Sequence, residues 1–435
     1  MRFAIKPYND LIYRADVKYN VYDSLDMEET SKLEDLKDII VRDPMCYGFQ
    51  YCSEGVPLIR ISDLQQPFID FSRIVFISEK EHKRYSKTHL QKYDILMSVR
   101  GVSIGKIGIF MGEYEHANIS PNIIIIRLKN KELAPFVCMT LISDIGQQQI
   151  KRIIAGSSKP TITAPLINKI EIPRVDDKLL KRINQLFEEA LNKRLYTNTL
   201  ISKINNKFDY IFNNEKWDKQ LINIKNIVNE GRWDPHYHNK KYEMLRKTLA
   251  KYPSDNIGDI CCSVDETICK NNVSEQIGYI EISNVNNLTA QIENFKINYI
   301  NNLPTGGKIP LLNEDILVSK VRPYRNANTI FKDTVDYPCV ASKNAFTVFR
   351  TLDYAYPYYV LAFIRSYYGI NQIVMYQSGT SYPTVSDDDI KLLRIPRLPE
   401  DIVKEINDSN KEYFDGKAFE SNNISEVVKT LNNLL

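Results

Sequence analysis

The chain has almost no net charge. Its 57 basic and 54 acidic side chains leave +3 over 435 residues. A protein coated in nucleic acid would carry more, so any basic binding surface is local and offset by acidic faces elsewhere. No Cys-x-x-Cys pair occurs among the seven scattered cysteines, Cys46, Cys52, Cys138, Cys261, Cys262, Cys269 and Cys339. This excludes a zinc-site spacing and a disulfide framework, and predicts reduced, buried thiols in a cytosol. No apolar run is long enough to span a membrane. Ile123-Ile124-Ile125-Ile126, between Asn122 and Arg127, reads instead as a buried strand. The stretch Met1 to Pro7 has no apolar core of a signal peptide, and the expectation is a cytoplasmic protein. Histidine is scarce, with only His236 and His238 close together, and the five are expected at the surface. Tryptophan numbers 2 against 27 tyrosines, a balance that suits polar, ordered binding surfaces.

Catalytic motifs are also missing. Asp234-Pro235-His236-Tyr237 is close to the Asp-Pro-Pro-Tyr loop that holds a target adenine in amino-methyltransferases. Its third position is His, however, and no Gly-rich cofactor loop precedes it. Gly101-Val102-Ser103-Ile104-Gly105-Lys106 is one residue short of a phosphate loop, and Ile107 stands where the metal-binding Ser/Thr belongs. Thr305-Gly306-Gly307-Lys308 fails similarly and reads as a loop. Asp387-Asp388-Asp389 precedes an apolar run and reads as a solvated turn or helix start.

What is present is a duplication. The length suits two to three domains, and 43% hydrophobic residues can build real cores. Gly156-Ser157-Ser158-Lys159-Pro160-Thr161 returns 223 residues later as Gly379-Thr380-Ser381-Tyr382-Pro383-Thr384. Ile172-Pro173-Arg174 and Ile395-Pro396-Arg397 follow at the same distance. Arg14 to Tyr19 and Arg232 to Tyr237 share the pattern Arg-x-Asp-x-x-Tyr. Leu33-Glu34-Asp35-Leu36 matches Ile257-Gly258-Asp259-Ile260, and both read as strand entries. Leu58 to Leu64 matches Tyr279 to Val285, alternating with period two as half-buried strands do. Asp94 to Ser98 matches Asp315 to Ser319, strands running into polar, basic loops. Ser120-Pro121-Asn122 and Ser342-Lys343-Asn344 introduce further strands. One helix is expected in each copy, over about Pro135 to Ala155 and Tyr356 to Gln377. Between the shared words the copies diverge, so one fold carries two surfaces.

Gly and Pro are absent from Asp176 to about Phe212. Leu179, Ile183, Leu186 and Ala190 step by the 4-3-4 spacing of a coiled-coil seam, and Leu200, Ile204, Phe208 and Ile211 continue an apolar face. Such a helix needs a partner. The tail supplies one with Ile402, Ile406, Ile424, Val427, Leu431 and Leu434, interrupted at Asp415-Gly416. The expectation is an α+β chain of two tandem homologous mixed α/β domains, 1–175 and 216–398. Long helices at 176–215 and 399–435 separate them and form an antiparallel coiled coil.

The duplication, the Gly-Ser-Ser-Lys-Pro-Thr and Gly-Thr-Ser-Tyr-Pro-Thr turns leading to Ile-Pro-Arg, the Ser98-Val99-Arg100-Gly101 strand end and a long helix after each copy resemble one family. It is that of the specificity subunits of type I restriction–modification systems, and the resemblance covers essentially the whole chain. It implies two target-recognition domains that each read one half of a bipartite duplex DNA sequence. It implies helices that act as a spacer, and no catalysis by this chain. The implied partners are two modification subunits, which carry S-adenosylmethionine and methylate adenine, and a restriction subunit where one is recruited. Other phage-defence methylation systems use similar chains, and a protein-binding decoy of a methyltransferase is the alternative from another class. Arg, Lys, Ser, Thr, Asn and Tyr in the paired loops are the side chains that contact phosphates and base edges. Arg100, Ser103, Lys106, Ser157, Ser158, Lys159 and Thr161 are therefore expected to face DNA in copy one. Lys320, Arg322, Tyr324, Arg325, Asn326, Lys343, Thr380, Ser381 and Tyr382 are expected to do so in copy two.

Overall fold

Short, apolar, β-branched runs make the sheets, and two long uninterrupted amphipathic runs make the longest helices. The computed structural model describes residues 29–41, 48–101, 103–154, 160–214, 236–268, 276–293, 295–299, 302–304, 306–333, 335 and 337–434. The Arg-x-Asp-x-x-Tyr openings at 14–19 and 232–235 lie outside them, as does 156–159. The chain divides into two compact units. One runs through Asn192 and takes back the chain from Phe419; the other is Lys193–Ala418.

In the first unit, Ile123–Leu128 is the centre of a sheet ordered Lys37–Val41, Ile123–Leu128, Ile95–Ser98, Ile107–Ile109, all antiparallel. The isoleucine run is buried as its composition demands. A second sheet sets Val56–Ile59 between Val75–Ile77 and Asn118–Ile119, the latter pair parallel. Thr30–Lys32 pairs with Glu171–Pro173, so the first Ile-Pro-Arg word is a strand closing on the domain entry.

The second unit repeats this plan. Its sheets are Cys261–Ser263, Phe346–Thr351, Ile316–Ser319, Thr329–Ile330, and Lys296–Tyr299, Gln276–Ile280, Cys339–Ser342, Lys308–Pro310. Gln276–Ile280 and Cys339–Ser342 are again parallel. Ser254–Asn256 pairs with Arg394–Pro396, as the first unit's entry does. The extra strand Lys308–Pro310 occupies part of the expected glycine loop.

Three local expectations are corrected. Leu33–Leu36 and Ile257–Ile260 are single helical turns rather than strand entries. The strands at 56–59 and 276–280 stop early and are buried from Val56 and Ile277 onward, in place of the half-burial that alternation predicts. A 3-10 turn follows each because a side chain competes for the backbone. The Arg60 amide donates to Asp63 Oδ2 at 2.8 Å and the Glu281 amide to Asn284 Oδ1 at 2.8 Å. The single helix expected in each copy is two, Ala134–Ile142 with Asp144–Ile153 and Pro357–Arg365 with Tyr367–Met375. The breaks fall at Ser143 and Ser366, whose hydroxyls donate to Thr140 O and Phe363 O. Three residues on, Gly146 and Gly369 pass over the preceding helix. A Cβ at Gly369 would lie 2.1 Å from the Phe363 carbonyl oxygen, and one at Gly146 2.3 Å from that of Thr140.

The long helices run Asp177–Ile211 and Glu400–Asn432. In the first unit Ile183, Leu186, Phe187 and Ala190 join a core that includes Val427 and Leu431. Arg182 pairs with Glu426, and Asn423 donates to the Leu186 carbonyl, so the two helices are antiparallel here. The second unit has its own antiparallel section. Leu200, Ile204 and Phe208 share a core with Ile406, Tyr413 and Phe414, and Lys203 and Lys207 pair with Glu405. The expected interruption at Asp415-Gly416 is not there, because the helix is continuous. Gly416 is the small residue of a close crossing; a Cβ there would lie 2.4 Å from Thr197 Cγ2. Tertiary packing outweighs the roughly 1 kcal/mol that glycine costs a helix.

Candidate nucleic-acid interface

Each basic loop leaves the end of a strand whose last residue is a buried serine, Ser98 or Ser319. In the first unit Thr161 forms an antiparallel bridge to Arg100, and the Ile162 amide donates to the Val99 carbonyl at 3.1 Å. In the second unit Thr384 bridges Val321, and the Val385 amide donates to the Lys320 carbonyl at 2.9 Å. The repeated Pro-Thr thus ends as a short strand that clamps the basic loop. A third segment joins from the turn before the central strand: the Val99 amide donates to the Asn122 carbonyl and the Lys320 amide to that of Ala345, each at 2.9 Å.

In the first unit Arg100 and Ser103 are exposed. Ser98 Oγ donates to the Ser103 carbonyl and accepts from the Lys106 amide, which shapes the loop from inside. The Lys106 ammonium leans back to within 3.5 Å of the Leu64 carbonyl and is half-buried. Thr161 is half-buried at the clamp. Ser157, Ser158 and Lys159 lie outside the described residues.

In the second unit the hairpin Ser378–Thr384 is closed by reciprocal backbone bonds of 2.8 and 2.9 Å and exposes Thr380, Ser381 and Tyr382 at its tip. The Tyr382 ring faces the Arg322 guanidinium, 5.1 Å from its centroid. Arg322 holds the left-handed region with φ +46°, a conformation costing a non-glycine residue about 1 kcal/mol or more. The surrounding contacts enforce it, among them the Arg322 amide donating to the Pro383 carbonyl at 2.8 Å. Arg322 Nε is buried without a hydrogen-bond partner. Tyr324 and Arg325 are exposed beside it.

The remaining three residues of that group serve the loop itself. Lys320 is paired with Asp387 at 3.0 Å, whose other oxygen accepts from Thr347. Asn326 donates to the Arg365 carbonyl at 2.9 Å, and Lys343 Nζ lies 3.2 Å from the Asp265 carbonyl. The structure therefore sets Arg322 against Tyr382 of the hairpin tip, leaves Tyr324 and Arg325 exposed next to it in the chain, and gives Lys320, Asn326 and Lys343 partners within the protein.

The residues that hold these loops do not stand out in the sequence. Asp94 and Asp315 are fully buried, and each receives a forked pair of bonds, from Arg127 and from Arg350. The side-chain amides of Gln149 and Gln372 each close two bonds on the backbone of Glu171 and Arg394. Arg365 donates to four carbonyls of residues 287, 288, 326 and 328. Arg127 with Arg350 and Gln149 with Gln372 sit at the 223-residue offset of the repeated turn, a signal open to sequence inspection.

The thiols are poor nucleophiles where buried. Burial pushes Cys261 up to about 12 and Cys339 up to about 11. Cys52 and Cys262 are exposed, against the expectation of uniform burial. The histidines depart further, since His82 and His238 are buried and His82 stacks on His89 with centroids 3.7 Å apart. Asp387–Lys391 is a helix start capped by Ser386, as its sequence indicates. Among the described residues no group of three His, Cys, Asp or Glu is placed to hold a metal ion, and no helix is long and apolar enough to cross a membrane.

The relatives are specificity subunits of type I restriction enzymes. The EcoBI specificity subunit of Escherichia coli is 25% identical over 172 residues, 38% of this chain and 36% of that protein. The MjaVIII specificity subunit of Methanocaldococcus jannaschii is 24% identical over 149 residues, 33% of this chain and 35% of that protein. The aligned region thus spans about a third of the length of these curated relatives. Among solved structures, the type I restriction–modification S subunit from M. genitalium aligns over 94% of this chain and 96% of its own, at 14% identity and TM-score 0.43. No family model matches the chain. The specificity-subunit family resembled by the repeated turns is the one these relatives come from.

Proposed function

We propose that this chain is the non-catalytic specificity subunit of a cytoplasmic type I restriction–modification complex. Each unit reads one half of a split duplex DNA target, and the paired long helices set the unread gap. One observation carries the reading: both units build the same clamped loop, by the same backbone bonds, and arm it with different side chains. A fold kept twice with different loop side chains suits two different half-sites. The names of the relatives support it.

In the second unit, Arg322 and Arg325 supply the cations, Tyr382 and Tyr324 the stacking faces, and Thr380 and Ser381 the hydroxyls. Phosphate contacts fix register, and base contacts specify. The modification subunits bind S-adenosylmethionine and methylate adenine; this chain brings them to the site, together with a restriction subunit where one is recruited.

The test is duplex binding and methylation by the complex assembled with its adenine methyltransferase subunits. The double variant Arg322→Ala, Arg325→Ala is expected to bind the cognate site about tenfold more weakly. The slope of log affinity against log salt should become shallower by about 1 for each phosphate that is no longer neutralised. Unchanged affinity together with an unchanged methylated sequence would overturn the assignment.

A further inference from the structure

Beside the clamped loops lies a second feature that the two units share in backbone and invert in charge. In the first unit the strand Val56–Ile59 ends at Arg60. Arg60 lines a concavity with Tyr51, Ser62, Ser120 and Asn122. Asn122 is the residue whose carbonyl receives the Val99 amide, so the concavity adjoins the Arg100 loop. In the second unit Glu281 holds the same place. Ile280 is in register with Ala341 in the parallel pair, as Ile59 is with Ile119. The turns that follow match bond for bond: the Asp63 amide donates to the Arg60 carbonyl and the Asn284 amide to the Glu281 carbonyl, both at 3.0 Å. With the backbone held constant, the side chain is the variable.

The two side chains are prepared differently. Arg60 is held by Asp63, with Nε and Nη2 each 3.1 Å from a carboxylate oxygen, and Nη2 also donates to the Arg73 carbonyl at 2.8 Å. These bonds fix the guanidinium plane and leave the two donors of Nη1 for a ligand. Glu281 is exposed. A carboxylate on a surface that meets phosphates weakens binding by repulsion unless it accepts from a base amino group. Arginine matches the O6/N7 acceptors of guanine, and glutamate accepts from the N4 amino group of cytosine.

We infer that Arg60 and Glu281 are specificity-determining residues, Arg60 selecting a guanine in one half-site and Glu281 a cytosine in the other. This rests on the proposed reading of split DNA targets and names what one position in each unit recognises.

The experiment uses the full chain assembled with its methyltransferase subunits. Its probes are duplexes that differ by single base pairs from the sequence the wild-type complex methylates. Glu281→Gln is expected to relax one C·G position of one half-site, lowering its preference over the other base pairs by about tenfold or more, and to leave the other half-site as it was. Arg60→Gln is expected to relax one G·C position of the opposite half-site. Because Arg60 also braces Asp63, the exposed Glu281→Gln variant, checked for wild-type circular dichroism, keeps the test independent of folding. Base preferences unchanged at every position in Glu281→Gln would overturn the inference alone. A wild-type complex that methylates no split sequence would overturn the reading beneath it, and this inference with it.

Discussion

Asp94 and Asp315 show what a single residue does here. Each immediately precedes a strand that ends in a clamped basic loop, and each is a carboxylate with no exposed surface. Arg127 neutralises the first through bonds of 2.7 and 2.6 Å, with only 14% of its own side chain exposed. Removing one partner of such a pair leaves a buried charge without compensation. Arg127→Met is therefore expected to destabilise the first unit by about 3 kcal/mol, seen as a lower denaturant midpoint. A loss under about 1 kcal/mol, the range of an exposed ion pair, would show the fork to be dispensable. Asp94 and Asp315 stand inside words that repeat along the chain, and are legible there as strand starts. Their arginines lie more than thirty residues away, and only the sheet brings them opposite.

At the scale of elements, the broken helices carry the same lesson. Their apolar composition is visible in the sequence and puts a helix in the right place. The break is not, because Ser-x-x-Gly is unremarkable as local sequence. Its meaning comes from the crossing, where Gly369 meets the carbonyl oxygen of Phe363 and the Cα of Ile364. Helix propensity alone predicts a gain of about 1 kcal/mol for Gly369→Ala. The crossing predicts a loss of about 3 kcal/mol, since a backbone atom cannot rotate away as a side chain can. Thermal unfolding of that variant decides between the signs, and the loss is the expected result. Gly416 misleads for the same reason. An interior glycine signals a weak point of a helix when only the sequence is read, and signals a close neighbour once the partner helix is in place.

At the scale of the molecule, the central helix of 35 residues is about 50 Å long at 1.5 Å per residue. Under the proposed function its length, with that of the distal helix, determines the gap between half-sites. Deleting one heptad from each helix keeps the apolar seam in phase and removes about 10 Å. The unread gap is then expected to shorten by about three base pairs, at 3.4 Å per pair along B-form DNA. Sequencing the methylated sites of a strain carrying the shortened chain reads this directly, and an unaltered gap would refute the spacer role.

The sequence alone determined the duplication, the strand cores and the long helices with their apolar seams. These follow from periodicity and burial, which depend on near neighbours along the chain. Only the tertiary structure decided which polar side chains of the loop stay available: Arg325 is exposed and Arg322 half-buried, whereas Lys320 pairs with Asp387 and Asn326 is bonded to Arg365. The repeat aligns Arg60 with Glu281, and the fold adds that the two share the same strand register and the same turn bonds. A lysine or arginine looks the same in any polar loop. Whether its charge meets solvent or a carboxylate is settled by residues distant in sequence, whose approach only the folded chain fixes.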